Sequence, residues 1–198
     1  MIHLKRLAGP LLLLSLALTG CTSLSPQQVE LQPRIDTRQR LPNGLQVELD
    51  ARDLRKSPVL GYRVSHFEQN AFLTLARDAR YSLLSSAHQA LRQMGVYRFG
   101  AVAGNPGGLK LTLLLDRLSY DASQHTTQQQ VLMQMELRLV ADYRGRTFTG
   151  RYQSQKEYRS PLPPSEAKNQ TLLNELAGDT LTRAFNDPKL LDFIRRGG

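Results

Sequence analysis

The sequence predicts an α+β fold: a two-layer sandwich in which an antiparallel sheet of about four strands is covered on one face by two helices, in the order β-α-β-β-β-α. Three observations predict it. Apolar residues alternate with polar ones through Leu109, Leu111, Leu113 and Leu115, and again through Val131, Met133, Met135, Leu137 and Leu139. That period of two marks strands with one buried face. Two other stretches carry apolar residues at helical spacing, and two apolar helix stripes match one apolar sheet face.

Taken in order, Asn43-Gly44 is a turn signal, followed by Leu45, Val47 and Leu49 alternating with Gln46, Glu48 and Asp50 as a first strand. A polar loop at 51–58 leads to a short extended piece, Val59 to Val64. Residues 72–94 read as a helix: Leu75, Ala79, Leu83, Leu84, Ala87, Leu91 and Met94 share a face, and Gly95 suits the positive φ of a C-terminal cap. A loop over 100–108 precedes three strands, near 109–116, 131–139 and 146–158, whose polar links at 121–129 and 143–145 suit antiparallel neighbours. Pro161, Pro163 and Pro164 stop the sheet. Ser165 is the expected N-cap of a second helix carrying Leu172, Leu173, Leu176, Leu181 and Phe185, and Asp187-Pro188 restarts a short helix with Leu190, Leu191, Phe193 and Ile194.

The start of the chain is of another kind. Lys5 and Arg6 precede an apolar run from Leu11 to Leu18, and the chain turns polar directly after Cys21. The run is too short to span about 30 Å of hydrocarbon as a helix and reads as an export signal. Leu18-Thr19-Gly20-Cys21 resembles a bacterial lipobox. The resulting division is a removed signal peptide at 1–20, a lipidated Cys21 with a flexible tether through 43, and a single globular domain over 44–198. A tether of that length has a root-mean-square reach of roughly 25 Å, although Val29, Leu31 and Ile35 alternate loosely, as an extended edge lying along the domain would.

Cys21 is the only cysteine, so no internal disulfide forms, and its lipidation leaves no thiol for catalysis or metal binding. The lipobox implies diacylglycerol and palmitate on Cys21, a membrane partner through that lipid, and a domain in the periplasm; Thr22 in place of an Asp favours the outer membrane. The formal net charge of +9, two units of it from Lys5 and Arg6, is of the kind nucleic-acid binders carry. An exported chain does not meet nucleic acid, and the expected partners are an envelope protein or an anionic glycolipid. Arg138, Arg144, Arg146, Arg151, Lys156 and Arg159 are the candidate anion-binding residues, solvated surface being the alternative reading.

No catalytic constellation is legible. His66, His88 and His125 lack metal-ligand spacing, so no metal and no cofactor are expected. Ser85-Ser86 lies inside a helical stretch, and Gly104-Asn105-Pro106-Gly107-Gly108 leads into a strand where a phosphate loop leads into a helix. Asp50 and Asp53 beside Arg52 are the one carboxylate pair that would serve an envelope hydrolase, and local ion pairing is the simpler reading. The expected function is non-enzymatic binding or scaffolding at the outer membrane, the alternative being a lipopolysaccharide- or translocon-associated lipoprotein that uses a basic patch. The strand at 146–158, charged and followed by prolines, reads as a guarded edge, and a monomer is expected.

Several stretches together resemble the YajG family of bacterial lipoproteins: the lipobox; Val47-Glu48-Leu49-Asp50-Ala51-Arg52 with Tyr62-Arg63; Leu91-Arg92-Gln93-Met94-Gly95-Val96; Leu111 to Asp121 with Leu118-Ser119-Tyr120-Asp121; Tyr152; and Phe193-Ile194. The resemblance spans nearly the whole chain and implies no catalytic residues. The element order also resembles the small outer-membrane lipoprotein that partners the lipopolysaccharide translocon, a likeness of fold only.

Overall fold

A computed structural model describes residues 24–64, 70–105, 107–125 and 128–197. The expected four-stranded antiparallel sheet is corrected: the described residues form one mixed sheet of eight strands with three helices. The strands are β1 (Gln27–Val29), β2 (Gln46–Asp53), β3 (Val59–Val64), β4 (Asn70–Leu75), β5 (Arg98–Phe99), β6 (Gly108–His125), β7 (Gln128–Tyr143) and β8 (Arg146–Ser160). The helices are α1 (Ala79–Gln93), α2 (Glu166–Phe185) and α3 (Pro188–Arg195).

Strand β6 organises the sheet. Along one side it pairs antiparallel with β7 from Leu109↔Tyr143 to His125↔Gln128. Its other side is too long for one partner, so two parallel strands share it: β2 against Gly108 to Leu115, and β3 against Tyr120 and Asp121. β3 pairs antiparallel with β4, β4 parallel with β1, β2 parallel with β5, and β7 antiparallel with β8. A bulge at Asp116, between Leu115 and Arg117, resets the alternation, so Leu118 and Tyr120 continue the buried face begun by Leu109, Leu111, Leu113 and Leu115. On β7 every odd position from Gln129 to Tyr143 is buried beneath the helices, and the even positions form the open, polar face.

α1 packs on β2, α2 on β7 and β8, and α3 on β8. The helix expected over 72–94 begins later. Residues 70–75 are strand β4, and Asp78 caps α1 by accepting from the Arg80 amide at 2.9 Å. Gly95 closes α1 with φ 94°. Ser165 and Asp187-Pro188 start α2 and α3 as their cap chemistry predicts.

The segment expected as a tether is corrected too. From Gln27 it belongs to the domain, with Val29, Leu31, Ile35 and Leu41 buried. It runs between α1 and α2: the Pro33 carbonyl accepts from Ser86 Oγ at 2.7 Å, the Glu30 amide donates to Gln170 at 2.9 Å, and the Asp36 amide donates to Thr182 at 3.0 Å. An alternation of buried and exposed residues through 29–35 makes this a strip of core rather than an arm.

Candidate functional site

A groove of about 600 Å³ lies between α1 and the β2–β5 pair, lined by Val47, Glu48, Leu49, Leu84, Ser85, His88, Phe99, Gly100 and Ala101. The His88 ring lies 4.1 Å from that of Phe99, tilted by 48°. Glu48 edges the floor. Its carboxylate accepts from the Val102 amide at 2.9 Å and meets Lys110 at 3.0 Å, and those two contacts, the amide first, hold it below the usual carboxylate range. The groove therefore offers an aliphatic and aromatic floor, an imidazole and a fixed negative edge. That suits binding of a small apolar group or a peptide side chain. Nothing in the sequence connected His88 with Phe99, because α1 and the two-residue strand β5 meet only in three dimensions.

The six basic residues are divided. The β7–β8 register puts Arg138 opposite Arg151, and Gln130 opposite Arg159, on the open face. Lys156 lies opposite buried Met133 on the helix side, where its Nζ contacts Glu175 of α2. Arg144 sits in the hairpin turn at φ 51°, over the Tyr143 ring, and Arg146 opens β8. Of the open-face cations, Arg138 donates twice to Asp116 at 2.6 Å and holds that carboxyl below its ordinary value, and Arg159 pairs with Glu157. The six do not converge on one patch.

Asp50 and Asp53 stand three residues apart on β2, and alternation directs them to opposite faces. Asp50 meets Arg52 at 3.3 Å; Asp53 accepts from Arg55 at 2.9 and 2.6 Å. Cys21 and His66 lie outside the described residues, and His125 is placed only as the last residue of β6. Among the described residues no cluster of three or more metal-ligating side chains occurs, and no helix is long and apolar enough to cross a membrane.

A buried polar chain escaped sequence reading. Tyr120 Oη donates to Asn169 Oδ1 at 2.9 Å, Asn169 Nδ2 donates to Gln27 Oε1 at 3.0 Å, and Gln27 Nε2 donates to the Glu166 carbonyl at 2.8 Å. It latches β1 to the centre of the sheet and the start of α2. Burial pushes the Tyr120 phenol up to about 12, opposed by the Arg63 charge and the Asn169 bond. Burial also raises Tyr152, whose hydroxyl donates to Asp187 at 2.6 Å. Unfolded tyrosine ionises near pH 10, so the native state holds these protons longer. Stability from Tyr120 is complete below about pH 10 and is lost as pH rises from there through 12, by about 2–3 kcal/mol. Urea midpoints measured from pH 9 upward should fall, and the fall should be shallower in Tyr120→Phe.

These features describe a helix-covered mixed-sheet domain with a groove on its helical side. The chain belongs to the family described as uncharacterized lipoprotein, which matches residues 33–195. Membership makes it a lipoprotein, anchored to a membrane of the cell envelope. No curated protein matches it. Among solved structures it is similar to protein XCC0632 of Xanthomonas campestris, at 13% identity and TM-score 0.47 over 85% of this chain and 93% of that one. It is also similar to lipoprotein GNA1162 of Neisseria meningitidis, at 12% identity and TM-score 0.35 over 72% and 99%. A neuraminyllactose-binding hemagglutinin homolog of Helicobacter pylori matches at 9% identity and TM-score 0.38 over 87% and 97%. At these scores the likenesses carry no argument about the site.

Proposed function

We propose that this protein is a non-catalytic lipoprotein of the bacterial outer membrane, held by diacylglycerol and palmitate on Cys21, that binds or scaffolds a partner in the periplasm. The observation that carries the reading is Leu18-Thr19-Gly20-Cys21 at the end of a short apolar run, in a chain of a lipoprotein family. Thr22 supports the outer membrane, and the stretches that resemble YajG support that branch of the family. The groove at His88 and Phe99 is the surface best suited to a ligand, and the opposed directions of Asp50 and Asp53 weigh against a hydrolase built on that pair. Radiolabelled palmitate is expected to enter the wild-type chain and not Cys21→Ser, and the variant is expected in the soluble periplasmic fraction. Equal labelling of the two would overturn the lipid assignment.

A further inference from the structure

The latch that fixes β1 also fixes where the domain meets its membrane. Only five residues lie between Cys21 and Gln27, six steps along the chain, and Gln27 is 4% exposed and bonded to Asn169 and Glu166. Arg63 adds a second tie, donating to the Ser25 carbonyl at 3.1 Å and to Glu166 at 2.9 Å. Six such steps span at most about 20 Å fully extended. Strand β6, with 18 residues, is about 60 Å long. A domain of that length on so short a connection has one end held at the bilayer, and the opposite end reaches it only if the whole sheet lies flat.

The register identifies the attached end. β3 runs parallel to β6, so Val64 and His125 finish on the same side; β4 and β7 begin there, β8 ends there at Ser160, and α2 starts there. Two of the exposed large apolar side chains at this end, Tyr62 (50% exposed) and Phe72 (49%), pack with ring centroids 5.1 Å apart and tilted by 41°, and Leu162 (65%) follows the end of β8. Aromatic rings with a polar rim are what a membrane–water interface accepts. Among the described side chains here, Arg63 pairs with Glu166 and Arg159 with Glu157, Lys168 lies over the Tyr158 ring, and the Asp121 carboxylate balances it in number. Attraction to anionic lipid is therefore not the driving term.

We infer that the end of the sheet carrying Tyr62, Phe72 and Leu162 rests in the headgroup region of the membrane that holds the lipid anchor, with the domain standing on the bilayer instead of roaming beneath it. This rests on the lipidation of Cys21. The contact is weak by itself, and the anchor makes it effective by keeping the surface within reach.

The chain contains no tryptophan, so a single introduced one reports alone. The lipidated full chain carrying Phe72→Trp is reconstituted into phosphatidylcholine vesicles, with and without bromines on the acyl chains, and compared with Tyr97→Trp. Tyr97 is 73% exposed and adjoins β5, at the opposite end of the sheet. A ring seated about 5–10 Å into the headgroup–acyl boundary should lose about half its emission to the bromines. That loss is expected for Phe72→Trp and not for Tyr97→Trp, and it should be the same when phosphatidylglycerol is mixed in. Protein that floats with the vesicles but shows no quenching at position 72 overturns the inference and leaves the anchor standing. Equal quenching at both positions means a sheet lying flat, which also overturns it. Protein that fails to float overturns the lipid assignment and this inference with it.

Discussion

Gly61→Ala is expected to cost about 3 kcal/mol or more, a large share of the 5–15 kcal/mol typical of a folded domain. The reason is a close approach within the sheet. The register of β3 on β4 shifts between Val59 and Gly61, and the irregularity aims the missing side chain of Gly61 into the neighbouring strand. A Cβ built there would lie 1.6 Å from the Tyr120 carbonyl oxygen and 2.7 Å from its carbon. Both obstacles are backbone. Tyr120 cannot retreat, because it is paired to β7 at Met133 and its hydroxyl is tied to Asn169. The strands must separate at the point where β3 joins β6, and that junction connects β3, β4 and β1 to the rest of the sheet. Gly107→Ala is the control. Its Cβ would meet nothing nearer than 3.5 Å, and its cost should stay within about 1 kcal/mol. Urea unfolding of both variants measures the difference; equal midpoints would show that β3 and β6 are not in this register.

Asn169→Leu should destabilise by about 3 kcal/mol, because it strands two buried polar groups at once. The Tyr120 hydroxyl loses its acceptor and the Gln27 side-chain carbonyl loses its donor, at a site where Asn169 is 0% and Tyr120 1% exposed. The damage should be local in its first effect. β1 is three residues long and pairs only with β4, so amide exchange at Gln27 to Val29 should accelerate before the rest of the sheet responds. Adding Tyr120→Phe to Asn169→Leu should recover about 1 kcal/mol, since removing both partners of a buried bond costs less than removing one. Additive losses in the double variant would count against a shared network. The same experiment bears on function, because a loosened β1 lengthens the connection to Cys21 and frees the domain from the membrane surface.

Both results concern features that local pattern does not carry. Local pattern settles only what neighbouring residues decide among themselves. The alternating leucines of β6 and the odd-numbered apolar positions of β7 specify strands with one buried face, because side chains alternate along any strand. Ser165 and Asp187-Pro188 specify helix starts through bonds to amides two or three residues on. The motif ending in Cys21 resembles a lipobox and so implies a lipoprotein, in agreement with the family match.

The tertiary structure decided which strands are partners. Alternation looks alike in parallel and antiparallel strands, so nothing local told β2 and β3 to share one side of β6. Leu75 stands four residues before Ala79, a spacing that fits one face of a helix, so local pattern alone places residues 72–75 in the first turn of α1, where the structure has strand β4. The register of β7 on β8 decided that Lys156 lies on the helix side and Arg151 and Arg159 on the open face, and the span of β2 separated Asp50 from Asp53. The proline-containing segment through Ile35 lacks the hydrogen-bonding run of a regular element, yet its buried strip between α1 and α2 makes it part of the core. Each of these depends on pairing or burial between residues far apart in the chain, whose free energy is set by the assembled partner and not by the segment that carries the residue.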